Sequence, residues 1–100
     1  MKLTEYLEAS LVVFDIQPGE VADILSQLIE PLVRDGTLGS SERVLEALLA
    51  REKVLSTGIG QGIAVPHAIS EVIQSPQLIV GLAPEGVDYH SMDDAPVNVF

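Results

Sequence analysis

The chain has 100 residues, of which 47% are apolar and only four aromatic. It is large enough for one domain with a modest core built mainly from Leu, Ile, Val and Ala. Fifteen acids against five bases give a formal charge of −10, which disfavours nucleic-acid and anionic-membrane partners because both need a basic face, and the absence of Cys excludes disulfides, thiol catalysis and zinc–thiolate sites.

The N-terminal "MKLTEYLEAS" carries Glu5 and Glu8 and lacks the continuous apolar stretch of a signal peptide. No apolar run approaches the ~18 residues of a membrane span. A cytoplasmic location is expected. The patch "LVVF" at 11–14 suits a short strand.

After Pro18 the period becomes helical. Val21, Ile24, Leu25, Leu28 and Ile29 form one core-facing stripe. Pro31 lacks an amide donor and crowds the preceding turn, so a kink or early stop is expected there. Leu32 and Val33 should still pack, and Gly36 should end the segment. A second helix is predicted from about Ser41 to Arg51, capped by Ser40 or Ser41, with Glu42 at its positive end. Val44, Leu45, Leu48 and Leu49 are its buried stripe.

Val54–Leu55 and Ile63–Ala64–Val65 read as short buried strands around a glycine turn. "QLIVGL" at 77–82 is a stronger strand. "APEGVDYHSMDDAP" reads as a long polar excursion, and "VNVF" at 97–100 begins another strand. Two helices followed by several strands predict an α/β (α+β mixed) domain, a mixed β-sheet flanked by helices, spanning residues 1–100. Its last strand would lack a packing layer, so the favoured expectation is a domain truncated on its C-terminal side. The alternative is that Phe100 docks as a natural terminus.

The chemistry concentrates in "STGIGQGIAVPHA", Ser56 to Ala68. Gly58, Gly60 and Gly62 permit positive φ and close backbone approach, and amides in such a turn can cradle an anion. Pro66 fixes its own φ and pushes Val65 extended. His67 is thereby aimed rather than free. Gly-x-Gly-x-Gly lacks dinucleotide-fold spacing, and the Gly-Lys-Ser/Thr of a P-loop is missing. Neither Ser56 nor Ser70 lies in a nucleophile elbow. His67, His90, Asp88, Asp93 and Asp94 show no metal-ligand spacing, and His90 reads as a solvated loop residue. No metal or cofactor is called for.

Phosphoryl transfer through His67 fits best. Neutral imidazole is a nucleophile, and phosphoryl transfer relies on positioning and electrostatics. Amides of the glycine turn could supply donors. Arg51 could supply the cation, since its fork matches phosphoryl oxygens. An equally good account of Arg51 is a helix C-terminal charge that complements the dipole.

At these residues the sequence resembles the type 2 enzyme IIA domains of the fructose, mannitol and nitrogen-regulatory branch of the bacterial phosphotransferase system. The family pattern asks for an acid or amide, an aliphatic and a small residue after six free positions, and aliphatic–Ala–aliphatic–Pro–His–small two positions later. Glu52, Ile59, Gly60, Ile63, Ala64, Val65, Pro66, His67 and Ala68 satisfy it. The flanking "VLEALLAREKV" and "GVDYHSMDDAPVNVF" are similar too.

The resemblance implies a phosphocarrier. His67 would accept phosphate from the histidine phosphocarrier protein, with Arg51 assisting, and pass it to a IIB domain. In a regulatory branch the same phosphate would switch binding to a target protein. Family domains run past residue 100, and a second active-site histidine lies in that later part; His90 does not match it.

Overall fold

The computed structural model describes residues 2–39, 41–73 and 75–100. Two short 3-10 turns, Leu3–Glu5 and Ala9–Leu11, lead into strand β1, Val12–Val13. Two helices follow, α1 at Val21–Arg34 and α2 at Glu42–Val54. Four more strands complete the chain: β2 at Gly58–Gly60, β3 at Ile63–Ala64, β4 at Val80–Val87 and β5 at Val97–Val99.

The sheet has five strands in the order β1-β4-β5-β3-β2. The β1–β4 and β3–β5 pairs are parallel, and the β2–β3 and β4–β5 pairs are antiparallel. It is the expected mixed sheet with helices packed against it.

Helix α1 is set by its stripe. Ile24 and Leu25 are fully buried and Leu28 and Ile29 nearly so, each worth about 1.5–3 kcal/mol of hydrophobic burial. Its start is a capping box in which the Glu20 amide donates to the Asp23 carboxylate at 2.9 Å and the Glu20 carboxylate accepts from the Asp23 amide. The helix runs through Pro31 to Arg34, against the expected break. Burial of Pro31 and Leu32 in the same stripe offsets the missing amide bond. Gly36, at φ 83°, ends the segment as expected.

The face of α1 meets β4 directly. A Cβ on Gly81 would lie 2.3 Å from Leu28 Cδ2 and 3.3 Å from Ile16 Cγ1, so glycine lets both side chains close on the strand without being displaced. Ile24, Leu25 and Leu28 share a core with Ala64, Ala83, Val87, Tyr89, Val97 and Phe100. A second cluster joins the helices to each other through Leu11, Ile29, Leu32, Leu38 and Val44. Leu45, Leu48 and Leu49 of α2 are half-buried against the main core.

Several expected boundaries move. Helix α2 continues to Val54, which is 80% exposed, and Leu55 is its exposed C-cap. The predicted strand at 54–55 is therefore the end of a helix. The cause is visible at Glu52, in the last turn of α2, which ties the helix end to Thr57 (amide at 3.0 Å). The strand is the glycine segment Gly58–Gly60 itself, and the turn is Gln61–Gly62. Strand β3 is only Ile63–Ala64; Ala64 is buried, while Ile63 and the following Val65 are exposed. Ser41 occupies the N-cap of α2 without a side-chain cap bond, and Ser40 lies outside the described residues.

Strand β4 begins later than predicted and runs to Val87, into the supposed polar excursion. Gly86, at φ 80°, and Pro84 lie in that stretch, and the β4–β5 register shifts between Leu82 and Val87. The Asn98 amide group fills the irregularity by donating to the Ala83 carbonyl at 3.1 Å. Phe100 docks: its amide and carbonyl both bond Gly81, and its ring meets Tyr89 edge-on at 5.1 Å.

Candidate functional site: an imidazole at a cleft

The β2–β3 hairpin delivers His67. Ala64 plugs into the core, and the Val65 amide donates to the Thr57 carbonyl at 3.0 Å. Pro66 then turns an irregular segment outward, and His67 is exposed. Its Nδ1 lies 2.9 Å from the Val65 carbonyl oxygen. A carbonyl can only accept, so Nδ1 carries the proton. The lone pair of the neutral ring is therefore on Nε2.

His67 and Arg51 line one open cleft of ≈ 460 Å³ together with Ala47, Ala68 and Ile69. The end of α2 and the segment after β3, separated in the chain by the β2–β3 hairpin, thus bring together the two residues that the sequence singled out. Arg51 is half-buried and donates through Nη1 to the Leu55 carbonyl at 2.8 Å, which satisfies the C-terminal end of α2. The helix-end role of Arg51 is thus real. It uses one of five guanidinium N–H groups. Among the described residues Arg51 forms no ion pair, although the protein is strongly acidic.

His67 also borders a larger apolar groove of ≈ 780 Å³, bounded by Leu28 and Leu32 of α1, Leu48 of α2, Ile73, Ile79 and Phe100. Ile69, beside the imidazole, is 99% exposed.

The three glycines sit elsewhere. None lines either cavity. A Cβ on Gly58 would lie 2.4 Å from Ser91 Cβ, one on Gly60 3.1 Å from the Asp93 carboxylate, and one on Gly62 2.8 Å from the Asn98 side chain. The Gly58 amide is occupied by Ser56 Oγ at 3.1 Å. Absence of a side chain lets residues 91–98 lie against the hairpin. This packing accounts for the three glycines as sites of close approach.

Sequence reasoning missed the polar anchors around the hairpin. Asp93 accepts from the Gln61 amide at 3.0 Å, Ser91 Oγ at 2.8 Å and the Ala95 amide at 3.0 Å. The Ser91 hydroxyl leads in holding the carboxyl below its ordinary range, and the Gln61 and Ala95 amides add to this. Tyr89, placed by sequence in a polar loop, is 1% exposed. Burial raises its phenol above the ordinary value, and Glu52, which accepts from the hydroxyl at 2.9 Å, raises it further. The signal for Glu52 was present in the motif, as the acid or amide that opens it, but its partners Thr57 and Tyr89 were not. His90 is an exposed loop residue, 3.8 Å from Asp88. Among the described residues no three potential metal ligands gather, and no helix is long and apolar enough to cross a membrane.

Fold and site together define a small α/β domain that presents a solvent-facing imidazole beside an arginine. The family model of the phosphoenolpyruvate-dependent sugar phosphotransferase system, EIIA 2, matches residues 5–100, and the chain belongs to that family. It is 35% identical over 99 residues to the PTS system fructose-specific EIIABC component of Bacillus subtilis (strain 168), covering 99% of this chain and 16% of that protein. It is 34% identical over 92 residues to the PTS system fructose-like EIIA component of Escherichia coli (strain K12), covering 92% of this chain and 62% of that one. The crystal structure of nitrogen regulatory protein IIA-Ntr from Neisseria meningitidis matches with a TM-score of 0.84 at 32% identity, over 97% of this chain and 66% of that one. The chain thus spans less than two thirds of the length of these curated relatives.

Proposed function

We propose that this domain is a cytoplasmic phosphocarrier in which Nε2 of His67 accepts a phosphoryl group from the histidine phosphocarrier protein and donates it to a IIB domain. The supporting observation is the bond from Nδ1 to the Val65 carbonyl, which leaves Nε2 as the nucleophile at an open cleft. In the transfer, the Nε2 lone pair forms the new P–N bond as the P–N bond of the donor breaks. The donor imidazole leaves with that electron pair. The His67 ring becomes cationic with Nδ1–H still in place, and the Val65 carbonyl dipole stabilises it. Free N–H groups of Arg51, on the same cleft, would meet the phosphoryl oxygens. Pro66 sets the direction of the ring, and the glycines enter this reading as the frame of the hairpin.

The test is incubation with phosphoenolpyruvate, enzyme I and the phosphocarrier protein, followed by location of acid-labile phosphate. Phosphate on Nε2 of His67 is expected. Its appearance elsewhere, or its persistence in His67→Ala, rejects the reading.

The likeness to IIA-Ntr supports a second reading. In it, phosphorylation of His67 replaces an uncharged ring edge with an anion and switches binding to a target protein. Transfer from His67 to an isolated IIB domain favours the carrier; phosphate-dependent capture of a target without onward transfer favours the switch.

A further inference from the structure

A continuous chain of hydrogen bonds runs from Glu52 to the imidazole of His67. The Glu52 carboxylate accepts the Thr57 amide at 3.0 Å, the Thr57 hydroxyl in a short contact, and the Tyr89 hydroxyl at 2.9 Å. The Thr57 carbonyl accepts the Val65 amide at 3.0 Å. The Val65 carbonyl accepts His67 Nδ1–H at 2.9 Å. Thr57 is buried and has no freedom to find another partner in water.

We propose that Glu52 is a positioning residue for phosphoryl transfer: by clamping Thr57 it fixes the Val65 peptide that selects the tautomer of His67 and keeps Nε2 free. The kinetic part rests on His67 being the phosphoryl acceptor; the tautomer part does not.

The physical case is one of leverage. An exposed imidazole has little intrinsic reason to keep its proton on Nδ1. One well-aligned hydrogen bond biases the two tautomers by roughly three- to tenfold. That bias survives only if the accepting carbonyl stays in place. Strand β3 ends at Ala64, so Val65 lies beyond the regular ladder and is exposed. Its amide bond to Thr57 extends the hairpin by one step. Thr57 likewise precedes β2, and its own amide is held by a side chain, Glu52. The carboxylate, itself fixed by the buried Tyr89, stands where a further rung of sheet would be.

The experiment reads the His67 ring in the unphosphorylated full chain by long-range ¹H–¹⁵N NMR, then measures phosphorylation kinetics. In the wild type, Nε2 should show the shift of an unprotonated nitrogen. In Glu52→Ala the Nε2–H form should rise at least threefold. Phosphorylation kcat should fall roughly two- to fourfold, as the reactive fraction does for that bias, with the KM for the donor protein unchanged within error. Glu52→Gln, which keeps one acceptor oxygen, should fall between the two. If Glu52→Ala does not fold, Glu52→Gln decides, with at least a twofold rise of the Nε2–H form expected. A tautomer ratio that ignores Glu52 in a folded variant overturns the assignment, whatever happens to thermal stability. Failure of wild-type His67 to take up phosphate overturns the carrier reading instead, while the NMR result still decides whether Glu52 orients the ring.

Discussion

His67 Nδ1 and the Val65 carbonyl oxygen, two residues apart, lie 2.9 Å from each other, and that contact decides which ring nitrogen is available. Because the ring itself is exposed, its chemistry and the stability of the fold are separable. His67→Gln should leave thermal stability within about 0.5 kcal/mol, as for other exposed positions. It should abolish phosphate uptake. Calorimetry and a phosphorylation assay on the same sample check both halves.

Arg51→Lys tests the second residue of the cleft. An ammonium can still donate to the Leu55 carbonyl, so the end of α2 should keep its cap and stability should change by less than about 1 kcal/mol. It lacks the planar fork, so phosphoryl transfer should slow roughly ten- to a hundredfold. Stopped-flow or quench kinetics against the phosphorylated donor measure this. Transfer at the wild-type rate would leave Arg51 as a helix cap only.

Gly58→Ala should destabilise the domain without touching the cleft. The new methyl would collide with both Cβ and Cα of Ser91, and Cα cannot rotate away. Overpacking of this kind costs about 1–3 kcal/mol. Thermal unfolding should shift down by several degrees, while the folded fraction should still be phosphorylated.

One carboxyl, Asp93, and one phenol, Tyr89, bear on stability at the acid and alkaline ends of the pH range. Asp93 has a depressed folded-state pKa, so its contribution is present above the ordinary carboxylate value of 3.8 and is lost as pH falls through its lower folded value. Asp93→Asn should remove part of the acid sensitivity and loosen the 91–95 loop against Gln61, seen as faster amide exchange at Gln61 and Ala95. Tyr89 behaves in the opposite sense. Its folded pKa is raised, so stability should fall as pH rises above 10.0, where the unfolded phenol ionises first. Urea midpoints at pH 9 and 11 should differ, and Tyr89→Phe should flatten that difference.

The helices were legible because each depends on one repeated signal. The stripe from Val21 to Ile29 and the Gly36 stop hold as read. Pro31 misled because a local rule was weighed without the burial of Pro31 and Leu32. Strand limits were poorly legible wherever a side chain replaces a backbone partner. Glu52 carries α2 past the expected stop, and Asn98 bridges the irregular part of β4. Neither bond leaves a periodic trace. At the site, His67 and Pro66 stood out by residue type and order. The glycines were legible as a place of close approach, but what approaches, residues 91–98, lies over thirty positions downstream and has no pattern of its own. Tyr89 looked solvated because its neighbours are polar, and only the edge-on contact with Phe100 and the Glu52 bond explain its burial.

The strand order carries a consequence for biosynthesis. β5 sits between β4 and β3, yet it is the last of the five to be made. Until residues 97–99 leave the ribosome, the β1–β4 pair and the β2–β3 hairpin have no shared ladder. Pairing through β5 is therefore the step that unites two ribbons into one sheet, and without it each ribbon would present an open edge.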